Sequence, residues 1–169
     1  MQETPIERAI RFGGLALAHA ATIASKLEEG ELICPFAIVS KGDSRERIDF
    51  EAESQVEALE AGKASLAELK DHVDFWALGR EGLLSKADDA AKVDVLIVSA
   101  WTHGMSEPVV LIQRFCPAAP GHFRLVGAVD FVIDGDDVSG EAAASFRDLV
   151  REGVGLHPGT VPWERWMLH

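Results

Sequence analysis

The chain has 169 residues, of which 47% are hydrophobic and 26% are charged, and its 28 acidic against 16 basic residues give a formal net charge of -12. This length suits one domain with a core of its own, and the composition excludes a disordered chain. Because an acidic surface repels the phosphate backbone, we expect no nucleic-acid partner.

The sequence also lacks the usual signals for membrane insertion and export. No apolar run reaches the roughly 20 residues that cross a bilayer. The N-terminal stretch MQETPIERAI has neither the basic flank nor the apolar segment of a secretory signal. We therefore expect a cytoplasmic protein with no membrane partner.

Two helices are predicted in the first half of the chain. Thr4-Pro5-Ile6-Glu7 is a capping box with proline at the first helical position, and the helix that it opens is expected to end at Gly30. Ser54-Gln55-Val56-Glu57 opens the second helix. Its apolar spacing predicts a buried side made of Val56, Leu59, Leu66 and Leu69.

Strands are predicted between these helices and after them. The runs LICPFAIVS and RERIDFEA, separated by the turn KGDS, indicate a hairpin with one solvated face on its second strand. A short strand over 73–78 ends at Gly79, and a polar connection follows over 80–92. Three apolar runs rich in β-forming residues then predict strands over 93–101, 107–116 and 122–133.

The chain ends in a predicted helix over 139–152 and an irregular tail over 153–169. We interpret residues 1–152 as a single α+β domain. The tail carries Trp163, Trp166 and Met167, residue types that are enriched in interface cores. It is therefore expected to pack either on the domain or on a partner subunit, with these three residues as the candidate interface.

These elements predict an α+β fold in the order α-β-β-α-β-β-β-β-α. Short connections between strands favour a mainly antiparallel sheet of five to six strands, with the helices covering one face. The order of elements is similar to that of profilin-like and GAF-like domains, in which helices flank a central antiparallel sheet. Element order alone carries no function.

The strand sequences themselves carry one resemblance. The runs ELICPFAIV, VDFWAL and VDVLIVSA, followed by EPVVLIQRF, resemble small bacterial α+β proteins of unknown activity over residues 31–115. The resemblance implies a fold built around similar strands. It implies no functional residue.

The motifs of several common chemistries are absent from the sequence. No glycine-rich phosphate loop follows a strand, no serine lies in a nucleophile elbow, and the six histidines show no zinc spacing. The acidic run at 134–137 lacks the later ligands of a calcium loop. Cys34 and Cys116 are expected to be buried, reduced thiols within strands. We therefore predict no metal, no cofactor and no identifiable catalytic set.

The loop between two predicted strands, Trp101 to Glu107, is the main candidate for a ligand-binding site. If the strands form a hairpin, His103 and Glu107 approach each other and Trp101 forms an apolar wall. The alternative is an exposed hairpin loop whose turn is made by Gly104. Arg114 is the second candidate: it either binds an anion or forms a structural salt bridge to a residue such as Asp49 or Asp94.

Two functions of different classes follow from these observations. The first is a non-catalytic protein-interaction domain, expected to act as a homodimer or with another protein through a sheet edge or the tryptophan-rich tail. The second is a small-molecule-binding or hydrolytic domain with a pocket near the Trp101–Glu107 loop. Whether the protein is an enzyme stays open at this point.

Overall fold

The computed structural model describes residues 2–85 and 92–167. Its helices and strands follow one another along the chain as α1 (Pro5–Ala24), β1 (Phe36–Lys41), β2 (Ser44–Asp49), α2 (Gln55–Leu69), β3 (Phe75–Ser85), β4 (Lys92–Thr102), β5 (Val109–Cys116), β6 (Arg124–Ile133), β7 (Asp136–Asp137), α3 (Gly140–Gly155) and α4 (Trp163–Met167).

The strands form one sheet in the order β2-β1-β3-β4-β5-β6-β7, and every neighbouring pair is antiparallel. The α+β class and the antiparallel sheet are confirmed. The predicted five to six strands and the predicted element order are wrong. Asp134 and Gly135 both adopt positive φ angles, 52° and 84°, and this tight turn brings β7 back beside β6. The tail adds the fourth helix, α4.

Strand β3 is longer than predicted because Gly79 does not end it. This residue lies inside the strand, where an added Cβ would stand 2.5 Å from the ring of Phe36. Glycine here provides room for a core aromatic ring rather than a turn. The expected polar connection over 80–92 is therefore strand up to Ser85 and again from Lys92, and residues 86–91 lie outside the described part of the chain.

Helices α1 and α3 pack on one face of the sheet. The predicted capping box opens α1: the Thr4 hydroxyl accepts from the Glu7 amide at 3.1 Å, and the Glu7 carboxylate accepts from the Thr4 amide at 3.0 Å. The helix ends at Ala24, before the expected Gly30. None of the helices in the described ranges is long and apolar enough to cross a membrane.

Helix α2 packs on the opposite face, so the expectation that the helices cover one face is wrong. Side chains alternate across a strand, so β1 sends Phe36 and Ile38 into the core beneath α1 but Ala37 and Val39 into a second core beneath α2. The predicted buried side of α2 is correct for Leu66, which is buried, and for Leu59 and Leu69, which pack half-buried against the second core, but it is wrong for Val56. Val56 is 71% exposed, whereas the stripe that faces the sheet consists of Ala58, Gly62 and Leu66.

Candidate functional site

The predicted loop places Trp101 and His103 together, but the Trp101 indole N–H and His103 Nε2 already have partners in the backbone. Their rings meet edge to face with centroids 4.9 Å apart. The Trp101 indole N–H donates to the Met105 carbonyl at 2.9 Å, and His103 Nε2 lies 2.8 Å from the Val73 carbonyl oxygen. Since Trp101 is 3% exposed, it contributes little surface to any pocket.

Glu107 and Arg114 do not join them. Among the described residues no hydrogen bond or ion pair links Glu107 to His103. Arg114 lies five residues beyond Val109 along β5, about 17 Å at the rise of a strand. Its guanidinium reaches Asp130 at 3.9 Å rather than Asp49 or Asp94, and its buried Nε has no acceptor. The four predicted residues therefore do not line one pocket.

A cavity lies at the end of the sheet opposite this loop, between the β5–β6 connection and α4. Its volume is about 770 Å³. Small-molecule sites in proteins typically measure about 300–1,000 Å³, so this cavity has the size for an organic ligand. We call it the α4 cavity, and its lining consists of Cys116, Pro117, Ala119, Pro120, Gly121, His122, Phe123, Arg124, Arg165 and Trp166.

The C-terminal tail builds one wall of the α4 cavity. Trp163 is 5% exposed and lies in the core beneath α1, where it anchors α4 to the body of the protein. One turn later the Trp166 ring meets Phe123 edge to face at 4.9 Å. Trp166 and Met167 also pack half-buried against the same core. The three residues that we predicted as an interface thus contact their own chain.

The lining of the α4 cavity is basic and aromatic. Arg124, Arg165 and His122 are its ionisable nitrogen groups, and none of the lining residues in the described part of the chain is acidic. The neighbouring carboxylate of Glu164 turns away and pairs with Arg151 at 3.6 Å. In a chain with 28 acidic residues, this lining favours a negatively charged ligand.

The two cysteines occupy different environments. Cys116 is the last residue of β5 and lines the α4 cavity, half-buried. Cys34 is exposed and precedes β1, so the expectation that both are buried within strands is wrong for this residue. Pro35 follows Cys34 and directly precedes β1. The pKa of the Cys34 thiol is raised by partial desolvation and then by the nearby carboxylates of Asp49 and Glu51.

A pair of histidines joins α1 to the segment after α3. His19 Nδ1 lies 3.4 Å from His157 Nε2, and Arg47 Nη1 lies 3.3 Å from His19 Nε2. Burial lowers the pKa of His19 to about 4, helped by the positive charge of Arg47 and by His157, whereas Asp49 acts in the opposite direction. His19 is therefore neutral at pH 7 and accepts a hydrogen bond from Arg47.

Sequence reasoning missed the α4 cavity because its parts lie far apart in the chain. The turn PAAPG indicated only a connection, and the tail indicated only apolar residues that need cover. Nothing in the spacing of Cys116 and Trp166, which are 50 residues apart, shows that they face each other. The sequence signal for this cavity is the presence of two segments, the proline-rich turn PAAPG and the aromatic-rich tail.

Comparison with known proteins finds no match among protein-family models, curated proteins or solved structures. This result agrees with the resemblance to proteins of unknown activity. Within residues 2–85 and 92–167 there is also no group of three or more histidine, cysteine or carboxylate side chains placed to hold a metal ion.

Proposed function

We propose that this protein binds a small organic anion with a large apolar body in the α4 cavity. The observation that carries this proposal is a cavity of about 770 Å³ whose lining combines arginine and aromatic side chains with no carboxylate among the described residues. Such a lining matches a carboxylate, sulfonate or phosphate attached to a ring or an acyl chain.

Arg165 is the residue that we assign to the anionic group. In the described part of the chain it forms no ion pair, because its neighbour Glu164 pairs with Arg151 instead. Its planar guanidinium donates two parallel hydrogen bonds to a carboxylate or a related oxyanion. The apolar body of the ligand then lies against Phe123 and Trp166, whose edge-to-face contact gives a fixed aromatic wall.

Binding of the fluorescent probe 8-anilinonaphthalene-1-sulfonate to the native protein tests this assignment. We expect its fluorescence to rise on binding, and Arg165→Gln to weaken the affinity roughly tenfold because the sulfonate loses a charge-assisted hydrogen bond. Lys63→Gln removes an exposed cation on α2 outside the cavity and serves as the matched control. Equal loss in both variants would contradict a local role for Arg165.

The two thiols locate the bound probe in the same experiment. Bound probe should slow the alkylation of Cys116, which lines the cavity, and leave Cys34 unchanged, since this thiol is exposed near Asp49 and Glu51. Mass spectrometry of the alkylated peptides reads both rates in one sample. Protection of neither thiol, or of both alike, would place the probe elsewhere.

A second candidate function, self-association, is favoured by the charge pattern on the sheet. On the side of the sheet opposite α1, the strands β4, β5 and β6 carry half-buried apolar side chains that belong to neither core among the described residues. We call this surface the open face, and its apolar residues are Ile97, Val110, Ile112 and Val132. Apolar surface of this kind is typical of a protein interface.

One row of residues across the open face has opposite charges at its two ends, so a reversed copy of the row would be complementary to it in charge. The strand register places Arg80, Ile97, Ile112 and Asp130 side by side across four strands, about 14 Å from end to end. A two-fold axis parallel to the strands would lay a second copy on this face with the row reversed. Arg80 then faces the partner's Asp130, which Arg114 and Arg147 of its own chain approach at 3.9 and 3.8 Å, and the two isoleucines face each other. We therefore propose a second copy of the chain as the occupant.

Charge reversal at the two ends of this row tests the homodimer by sedimentation equilibrium. We expect the wild type to sediment at twice the mass of one chain, and Arg80→Asp or Asp130→Arg to sediment as monomers because like charges then meet at both ends of the row. An equimolar mixture of the two variants restores opposite charges at both ends and should dimerise again. A monomeric wild type, or variants that stay dimeric, would contradict the proposal.

A further inference from the structure

A second cleft lies between α1 and the tip of the β1–β2 hairpin, far in sequence from the lining of the α4 cavity. Its volume is about 370 Å³. It contains three arginines, one carboxylate, one hydroxyl and an apolar wall, and its lining consists of Arg8, Arg11, Phe12, Ser40, Gly42, Asp43, Arg45, Phe75 and Leu156. We call it the hairpin cleft.

The three arginines of the hairpin cleft are not equivalent. Arg11 is saturated, since it pairs with Glu3 and donates to Glu152 at 2.8 Å, and these two carboxylates raise its pKa further. Among the described residues, Arg8 donates only to the backbone carbonyl of Glu3, at 2.8 Å, and its charge helps Arg11, the larger cause, to lower the pKa of the Glu3 carboxyl. Neither Arg8 nor Arg45 forms an ion pair with a carboxylate in the described part of the chain. Two guanidinium groups therefore remain to bind a ligand.

The hairpin cleft also contains an acidic group. Asp43 lies at the tip of the hairpin and forms no ion pair with any described residue. The other carboxylate near this tip, Asp74, is occupied because it accepts from the Gly42 amide at 2.7 Å. The cleft thus presents both signs of charge, unlike the α4 cavity, and a simple anion would pair with the arginines but lie close to the like charge of Asp43.

The remaining wall is apolar and aromatic. The rings of Phe12 and Phe75 stack with centroids 5.2 Å apart and an interplanar angle of 25°. Leu156, at the end of α3, is 51% exposed and closes the other side. An apolar side chain of a ligand would cover these three residues and remove their surface from water.

From this combination we infer that the hairpin cleft binds a small zwitterion with an apolar side chain, the chemistry of an aromatic or aliphatic α-amino acid. Its carboxylate pairs with Arg8 and Arg45, its ammonium group pairs with Asp43, and its side chain lies on the Phe12–Phe75 pair. The volume of about 370 Å³ is close to the lower limit of small-molecule sites, about 300 Å³, and suits a ligand of this size. This site is independent of the ligand proposed for the α4 cavity.

Calorimetric titration of the full chain with L-phenylalanine and two analogues tests the inference. The analogue 3-phenylpropionate lacks the ammonium group, and 2-phenylethylamine lacks the carboxylate. We expect each to bind at least roughly tenfold more weakly than L-phenylalanine, because each leaves charged groups of the site without a partner. If 3-phenylpropionate binds as tightly as L-phenylalanine, or if L-phenylalanine shows no binding at millimolar concentrations, the inference is overturned.

Variants of the two charged ends complete the test. Arg45→Gln and Asp43→Asn should each weaken L-phenylalanine binding roughly tenfold, and both side chains are exposed, so the fold is retained. Arg151→Gln is the control that removes a cation outside the cleft. Both cleft variants should bind 8-anilinonaphthalene-1-sulfonate like the wild type. Unchanged L-phenylalanine affinity in Asp43→Asn would overturn the zwitterion assignment, and an equal loss in Arg151→Gln would overturn the location.

Discussion

Replacing Gly153 with alanine is expected to lower the free energy of unfolding by at least about 3 kcal/mol, or to prevent folding. This glycine lies where α3 crosses α1, and an added Cβ would overlap the carbonyl oxygen of Arg11 and stand 2.9 Å from Gly14 Cα. These neighbours are backbone atoms of another helix, so no side chain can rotate away. The two helices would have to separate, and the core beneath them would open.

The same helix offers a matched control for this prediction. Gly155 lies two residues further along α3, and an added Cβ there meets no atom within 4 Å. Gly155→Ala should therefore leave stability unchanged or raise it by up to about 1 kcal/mol, from the better helix propensity of alanine. Urea unfolding followed by circular dichroism measures both variants. A similar loss in the two would show that the crossing is looser than the structure indicates.

Replacing Gln113 with leucine is expected to cost about 2–4 kcal/mol. Gln113 is fully buried, and its Nε2 donates to the carbonyls of Arg114, Val126 and Gly127 at 2.9, 3.3 and 3.1 Å. These carbonyls lie where the register of β5 and β6 shifts between Ile112 and Arg114. Leucine keeps a similar volume but donates nothing, so these three carbonyls lose this donor.

The effect of Gln113→Leu is partly offset because the Oε1 of Gln113 is itself buried without a partner, and leucine removes that atom. Gln55→Ala is the comparison, since the exposed Gln55 donates to one carbonyl, that of Ile33, at 3.1 Å. Its cost should stay below about 1 kcal/mol. Urea unfolding measures the loss of unfolding free energy in both variants. An equal loss would mean that the register shift does not depend on Gln113.

The capping, turn and alternation patterns of the sequence predicted those parts of the fold that depend on residues close together in the chain. Thr4 and Ser54 cap α1 and α2 as expected, because capping needs only a hydroxyl placed three residues before an amide. The hairpin of β1 and β2 turns at Gly42, whose φ of 58° suits glycine. The alternation of β5, with Val109, Leu111 and Phe115 buried, also follows from its sequence.

Features that depend on a distant partner were not predicted. The apolar spacing of α2 placed Val56 inside, but Val56 is 71% exposed and Gly62 is buried instead. A Cβ added at Gly62 would stand 3.0 Å from the ring of Phe50, so the helix approaches this ring through a glycine that the apolar pattern does not count. In the sequence, Gly79 predicted the end of a strand. In the structure the residue lies within β3, beside the ring of Phe36. A glycine signals a turn and a close contact alike, and only the tertiary structure distinguishes the two.

The candidate sites show the same division. The loop containing Trp101 and His103 was found from the sequence because its residues are adjacent, yet both side chains bond to nearby backbone. The α4 cavity combines residues from two segments of the chain, and the hairpin cleft combines residues from four. The hairpin cleft, for example, joins Arg8, Arg45 and Leu156, which no pattern relates. Such sites arise from packing, so single-sequence reasoning does not reach them.

The two outer strands of the sheet affect how the protein behaves when it is crowded. Strand β2 consists of SRERID, with its first four residues exposed, and β7 is two exposed aspartates long. An incoming strand would meet dense charge at the β2 border, whereas at the other border β7 pairs only with Val132 and Ile133 of β6. Growth of the sheet into fibrils is thereby disfavoured at the β2 border, where four successive polar and charged side chains are exposed.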